Sequence, residues 1–161
     1  LLAGYHAGVV MRQIVLGLPA RLRGDHIPRV TYTDPELAQV GPTEAEARAV
    51  CGDRLTVTRA DFHHNDRAQA SGEVAGFAKL MIAKGRIIGA TVAGPQAGEV
   101  LAPLALAVTT RMKVSAFAGV VLPYPTLAEI GKRAAGAYFS PKLFDNAALK
   151  RMVRLVQRVL P

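Results

Sequence analysis

The sequence contains little cysteine and few aromatic residues, and both shortages exclude classes of protein. Cys51 is the single cysteine among 161 residues, so neither an internal disulfide framework nor a CxxC redox pair exists within the chain. Tryptophan is absent and aromatic residues make up 6%, which disfavours an aromatic platform for single-stranded nucleic acid. We expect a cytoplasmic protein in a reducing compartment. Cys51 is interpreted as a small buried or half-buried residue rather than a nucleophile.

Long hydrophobic runs and glycine-rich nucleotide motifs are also missing. The longest uncharged stretches are residues 100–110 and 114–128, and the second contains Gly119, Pro123 and Pro125. A spanning helix needs about 20 predominantly apolar residues, so we expect no membrane partner. No GxGxxG turn follows a predicted strand and no P-loop lysine is present, so the chain shows no nucleotide site of its own.

Positive charge is in excess, with 20 Lys and Arg against 12 Asp and Glu and a formal net charge of +8. Some of these cations lie near the start, others late, and four crowd the last segment: Arg12, Arg21 and Arg23; Lys132 and Arg133; and Lys150, Arg151, Arg154 and Arg158. Such runs fit a solvated surface, and they also fit a basic module that binds nucleic acid or an anionic surface. No helix-turn-helix, zinc-finger or RNP-type signature accompanies them. We therefore expect no nucleic-acid partner and keep the basic module as the alternative function.

Half of the residues are apolar, enough for one domain with its own core. Apolar periodicity predicts helices over residues 4–17, 44–50, 101–112, 126–138 and 146–160. Capping boxes, Thr43 with Glu46 and Thr126 with Glu129, mark the starts of the second and fourth helices.

Alternating apolar residues predict strands over residues 29–33, 55–60, 77–82 and 86–92. The last two strands are separated by residues 83–85, where Gly85 suits the positive φ of a tight hairpin. Strands and helices alternate irregularly around this hairpin. The sequence therefore predicts an α+β fold in which an antiparallel sheet is covered by helices.

The segment around His63, His64 and Asp66 is a polar break after a strand. Neighbouring histidines on an extended chain point in different directions, and no third ligand stands nearby in the sequence. We interpret this segment as a loop and expect no metal site.

Several blocks of residues occur in a distinctive order. Residues 27–41 (IPRVTYTDPELAQVG) are followed by Thr43-Glu44 and Ala47, then by Arg67-Ala68, Gly76-Phe77 with Lys79, residues 86–90, Gly94 with residues 97–99, and Pro125-Thr126 with Glu129. This order closely resembles the dimerisation domain of the pyridine nucleotide-disulfide oxidoreductases, over about residues 27–140. Several independent blocks are far more specific than one short motif.

The resemblance implies a division of the chain. Residues 1–26 resemble the tail of a preceding FAD-binding domain and a connector, residues 27–140 the dimerisation domain, and residues 141–161 form an amphipathic helical tail. It also implies a homodimeric flavoprotein that moves electrons from NAD(P)H through FAD to a cysteine pair. The chain begins at Leu1 without methionine, and we expect the FAD and NAD(P)H domains and the cysteines upstream. The fragment alone is expected to be inactive and to bind no cofactor.

Site residues follow from the same resemblance. In the family, a histidine before the Pro-Thr pair does acid/base chemistry near the disulfide of the partner subunit, a glutamate orients it, and its carbonyl approaches the partner's flavin. The matching positions are Tyr124 and Glu129, so the resemblance implies that these two are catalytic and that Tyr124 and Pro125 contact the partner's FAD. Tyrosine at this position resembles mercuric reductase and its relatives. The vicinal cysteines that end mercuric reductase are not found in residues 158–161, which leaves the electron acceptor open.

The tyrosine changes the expected chemistry. An imidazole titrates near pH 6.5, whereas a phenol near 10 keeps its proton at neutral pH. We expect Tyr124 to donate a hydrogen bond or to ligate a soft metal ion rather than to act as a base. Two simpler interpretations remain: Glu129 as a helix-capping residue, and Tyr124-Pro125 as a turn that contains a cis peptide.

Two further expectations concern the dimer. The apolar helix around residues 101–108 and the segment 116–125 are the candidates for the interface between two copies. A third hypothesis stands beside the dimer that completes active sites and the basic module. It is a purely structural dimerisation module, with no residue in any active site.

Overall fold

The computed structural model describes residues 2–141 and 147–159. Its centre is a five-stranded antiparallel sheet with the strand order β1-β2-β5-β4-β3. The strands are β1 Arg29–Thr31, β2 Glu36–Val40, β3 Leu55–Asp61, β4 Phe77–Ala83 and β5 Arg86–Gly94. The α+β prediction and the four predicted strands are confirmed, although the first is shorter than residues 29–33. Strand β2 was not predicted, because it has five residues and directly follows the Asp34-Pro35 turn.

Seven α-helices surround this sheet within the described residues. They are α1 Leu2–Ile14, α2 Glu44–Cys51, α3 Asp66–Ser71, α4 Ala97–Thr109, α5 Val114–Ala118, α6 Glu129–Ala137 and α7 Ala147–Val159. The five predicted helices are confirmed with shifted ends, while the short helices α3 and α5 were missed. For α7, the predicted ends Asn146 and Leu160 lie outside the described residues. No helix in the described part of the chain is long and apolar enough to cross a membrane.

The polar break is more ordered than its sequence indicated. Phe62–His64 form a 3-10 turn, and Asp66 begins α3. Helix α3 was not predicted, because a six-residue helix shows less than two turns of periodicity.

A helix cap and a hairpin turn form at the ends of elements as predicted. In the Thr43 capping box, the hydroxyl accepts from the Glu46 amide at 3.4 Å and the Glu46 carboxylate accepts from the Thr43 amide at 2.8 Å. The β4–β5 hairpin turns at Lys84-Gly85, with φ values of 50° and 71°. Two positive φ angles in a two-residue loop match the twist of the flanking strands.

Helices α4 and α6 cover one face of the sheet and enclose the main core. Helix α4 packs on β5 and β2, and α6 packs on β3 and β4. Side chains from both layers are fully buried, among them Leu80, Ile82, Val92, Leu101, Leu104 and Ile130. The helices approach closely at Gly131, where a Cβ would meet the Leu104 side chain at 3.3 Å.

Among the described residues, the hydrophobic cluster on the opposite face of the sheet covers one corner. There α2 packs through Ala47 against Leu55 and Met81, with Cys51 partly buried at the edge. The half-buried position predicted for Cys51 is confirmed. The asymmetry of the two faces places the helical layer, and the loops that join its helices, on one side of the molecule.

We expect Gly41→Ala to destabilise the fold more than Gly72→Ala. Both glycines have a positive φ, 67° and 74°, so each alanine carries a left-handed cost of about 1–2 kcal/mol. Only at Gly41 would the new Cβ collide with backbone, at the carbonyl oxygen of Ile88, whereas nothing lies within 4 Å at Gly72. The collision should add about 1–3 kcal/mol. Urea unfolding of both variants measures the difference, and equal losses of unfolding free energy would contradict a tight approach between Gly41 and β5.

Candidate functional site

The candidate site is built around Tyr124 in the loop between α5 and α6. The Tyr124-Pro125 peptide bond is cis, which confirms the turn with a cis peptide that the sequence allowed. The Tyr124 side chain is 70% exposed. Its phenol therefore lies at the surface of this chain, where a second molecule can reach it.

The Tyr124 hydroxyl donates a hydrogen bond to Asp66 Oδ2 at 2.7 Å, across 58 residues of sequence. This bond and the negative charge of Asp66 raise the pKa of Tyr124 above its ordinary value, with smaller contributions from burial and from the charge of Glu129. A second negative charge beside a carboxylate is unfavourable, so the phenol is held in its protonated form. This agrees with the expectation that Tyr124 does not act as a base at neutral pH.

A buried asparagine positions both partners of this bond. Asn65 Oδ1 accepts from the Ala68 amide at 3.0 Å and caps α3, which Asp66 begins. Asn65 Nδ2 donates to the Thr126 carbonyl at 3.0 Å, two residues after Tyr124. One side chain therefore fixes the start of α3 and the loop that presents the phenol.

The Glu129 carboxylate lies at the start of α6 and binds the backbone of the preceding loop. Its carboxylate accepts from the Thr126 amide at 3.3 Å, while the Thr126 hydroxyl donates to the Pro123 carbonyl at 2.9 Å. The predicted capping box is thus only half formed, and α6 begins at Glu129 itself, with Ala128 as the N-cap residue. Glu129 acts on the phenol through its charge, whereas Asp66 accepts the phenol's hydrogen bond.

Sequence reasoning missed the role of Asp66. The only local signal is Asn65, a preferred N-cap residue before a short polar stretch, and it points to a helix start rather than to Tyr124. The pairing depends on how α3 and the α5–α6 loop meet in three dimensions. No periodic pattern in the sequence carries that information.

A shallow cleft of about 370 Å³ lies beside this loop. Its walls come from α3, the start of α4 and the loop, and include Arg67, Glu99, Pro125 and Ala128. Both charge signs are present, so the cleft selects no single ligand class.

His63 and His64 do not join this site as metal ligands. Their rings pack edge to face at 5.3 Å. In residues 2–141 and 147–159, no group of three His, Cys, Asp or Glu side chains is arranged to hold a metal ion.

Comparisons with known proteins agree on one family. A family model described as "Pyridine nucleotide-disulphide oxidoreductase, dimerisation domain" matches residues 27–135. Dihydrolipoyl dehydrogenase from Bacillus subtilis (strain 168) is 36% identical over 132 residues, which cover 81% of this chain and 28% of that protein. Mercuric reductase from Shigella flexneri is 36% identical over 140 residues, covering 84% of this chain and 24% of that protein.

A solved structure supports the same fold. The crystal structure of LpdA from Mycobacterium tuberculosis superposes with a TM-score of 0.73 at 27% sequence identity, covering 81% of this chain and 29% of that one. The chain therefore spans between a quarter and a third of the length of these relatives.

We expect Asp66→Asn to lower the pKa of Tyr124. The amide removes the charge that opposes the phenolate, so the phenol ionises closer to its ordinary value of about 10. By linkage, the Tyr124–Asp66 bond stabilises the fold below pH 10 and this contribution disappears as pH rises through the raised pKa. Tyrosinate absorbance measures the titration, with Tyr124→Phe variants identifying the Tyr124 component.

Glu129→Gln is the matched control for this titration. Glu129 is the smallest of the causes that raise the pKa of Tyr124, so its removal should lower that pKa less than Asp66→Asn does. A larger shift in Glu129→Gln would show that Glu129, and not Asp66, controls the phenol.

Proposed function

We propose a function that starts from a shown fact: this chain belongs to the pyridine nucleotide-disulphide oxidoreductase dimerisation-domain family. In this proposal the chain joins two subunits of a mercuric-reductase-like flavoprotein disulfide oxidoreductase. In this proposal each copy also completes the active site of its partner. The observation that carries it is the exposed Tyr124 phenol, which Asp66 and the Asn65-anchored loop hold in one orientation.

The interface part of the proposal rests on the outer surface of the helical layer. Within the expected interface range 101–108 on α4, four apolar side chains are buried in the chain's own core, namely Leu101, Leu104, Ala107 and Val108. These side chains are therefore not available to a partner, which corrects part of that expectation. Leu106 on the same helix is 59% exposed, and Val121 in the Tyr124 loop is 91% exposed. These two apolar side chains are the ones we assign to the interface.

The catalytic part concerns one proton. The Tyr124 hydroxyl has a single hydrogen, which it donates to Asp66 in this structure, and its oxygen can still accept. At the partner's cysteine pair, the hydroxyl would accept from a thiol directly. It would donate to a thiolate only by turning away from Asp66. Glu129 holds the Thr126 amide nearby and adds negative charge that keeps the phenol protonated.

In this proposal the whole protein is cytoplasmic and uses FAD and NAD(P)H to transfer electrons. The flavin would carry electrons from the nicotinamide to the disulfide. The described residues contain no GxGxxG turn between a strand and a helix, so we place both dinucleotide sites outside this chain. What fits here is an edge contact, in which exposed Tyr124 and Pro125 lie against the partner's flavin.

We expect the chain to form a dimer that Val121→Asp weakens. Light scattering after size exclusion should give a mass near twice 17.1 kDa. A carboxylate in a buried apolar contact costs several kcal/mol, so dissociation should become at least about tenfold easier. Val50→Asp is the matched control, because Val50 is also highly exposed, at 79%, but lies on α2, outside the proposed interface. A monomeric full-length protein, or equal weakening by both variants, would contradict this interface.

We expect Tyr124→Phe in the full-length enzyme to lower kcat about tenfold or more while the dimer persists. Loss of one hydrogen bond made in the transition state raises the activation free energy, and each increase of about 1.4 kcal/mol lowers the rate tenfold. Tyr32→Phe, another exposed tyrosine on the β1 side of the sheet, is the control and should leave steady-state kinetics unchanged. Unchanged kcat in Tyr124→Phe would leave a purely structural dimerisation module.

A further inference from the structure

Helix α7 carries an unusual share of the chain's charge. Residues 146–161 contain Lys150, Arg151, Arg154 and Arg158 and no acidic residue. These four cations account for half of the formal net charge of +8. The family match ends at residue 135, so this helix lies beyond the part of the chain that the family explains.

The helix separates its cations from its apolar residues. At about 100° per residue, Lys150, Arg151, Arg154 and Gln157 fall on one side, while Met152, Val153 and Val156 recur at helical spacing on the other. Lys150, Arg151 and Arg154 are all exposed. Thirteen residues make a helix of about 20 Å, which is too short to cross a bilayer but long enough to lie on one.

Three apolar side chains on the described part of α7 are also open to solvent. Met152, Val153 and Val156 are 56%, 45% and 47% exposed. An apolar stripe of this size opposite a cationic face needs an occupant that supplies both apolar contact and negative charge.

The charge of the helix decides among the possible occupants. Two copies of α7 paired through their apolar stripes would bury those stripes but leave their cations on the outer faces, where no acidic residue of the helix offers a counter-charge. A nucleic acid would satisfy the cations through its phosphates but would leave the apolar stripe in water. An anionic bilayer surface satisfies both faces, because headgroups attract the cations and the acyl boundary accepts the apolar side chains.

We propose that α7 is an interfacial helix that docks this chain on an anionic phospholipid surface. The expectation of no membrane partner rested on the lack of a spanning segment, and surface docking needs none. The proposal is independent of the proposed dimer and of Tyr124. Two helices in a dimer would bind the same vesicle more tightly than one.

The first test is vesicle flotation of the 161-residue chain. It should float with vesicles that contain phosphatidylglycerol, bind weakly to phosphatidylcholine alone, and detach as salt rises. Each cation near an anionic surface is worth about 1 kcal/mol, so Arg151→Gln with Arg154→Gln should lower the partition coefficient about 30-fold. Lys84→Gln with Lys113→Gln removes the same charge at exposed positions elsewhere and should leave binding unchanged.

The second test reads the orientation of the helix. Because the chain has no tryptophan, one introduced tryptophan reports its own surroundings. Val153→Trp emission should shift to the blue on phosphatidylglycerol vesicles and be quenched by brominated acyl chains. Gln157→Trp, on the cationic side, should show neither change.

Four outcomes would overturn the proposal. They are absence of flotation at low salt, equal losses in the two double variants, and equal emission shifts in the two tryptophan variants. The fourth combines two results: duplex DNA or RNA displaces the protein from vesicles at equal charge concentration, and Val153→Trp shows no blue shift on the duplex. Together these results would assign the cations to nucleic acid.

Discussion

The amide of Asn65 is the interaction on which the candidate site depends. It is almost completely buried, and its two polar atoms bind backbone groups that lie far apart in sequence, the Ala68 amide and the Thr126 carbonyl. A buried amide that loses one partner leaves a desolvated group unpaired, at a cost of about 1–3 kcal/mol. The side chain therefore couples the start of α3 to the α5–α6 loop, and with them Asp66 to Tyr124. The loop that carries the exposed phenol is thus held by a residue that is itself almost completely buried.

The sheet and its helical layer make this coupling possible. Helix α6 packs across β3 and β4, so the loop that precedes α6 lies close to the segment that follows β3. Close packing at Gly131 against Leu104 and Phe117 brings α6, α4 and α5 into one layer. The core therefore determines where the loop begins, and Asn65 determines how it is oriented.

Local signals in the sequence were sufficient for elements that are stabilised locally. The β4–β5 hairpin and the Thr43 capping box were predicted correctly, because turn chemistry and helix capping involve residues within four positions of one another. Strand β2 and helices α3 and α5 were missed, because each is too short for periodicity and is stabilised by its neighbours in space. The Tyr124–Asp66 pair spans 58 residues and arises only from the packing of α6. Predicting Tyr124 required the resemblance to a family, and predicting Asp66 required the structure.

The bond between Tyr124 and Asp66 also limits what the site can do. A histidine at this position could take and return a proton near neutral pH, but a phenol beside a carboxylate holds its single proton more firmly than an isolated tyrosine. Any donation to a group on another subunit must compete with Asp66, whose carboxyl oxygen already accepts the phenol's hydrogen bond. The competition favours donation only to a strong acceptor, such as a thiolate in a water-poor contact, where an ionic hydrogen bond gains strength from the low dielectric. Asp66 thus suits a site in which the Tyr124 hydroxyl stays hydrogen-bonded to Asp66 until a negative charge appears on a group of the partner subunit.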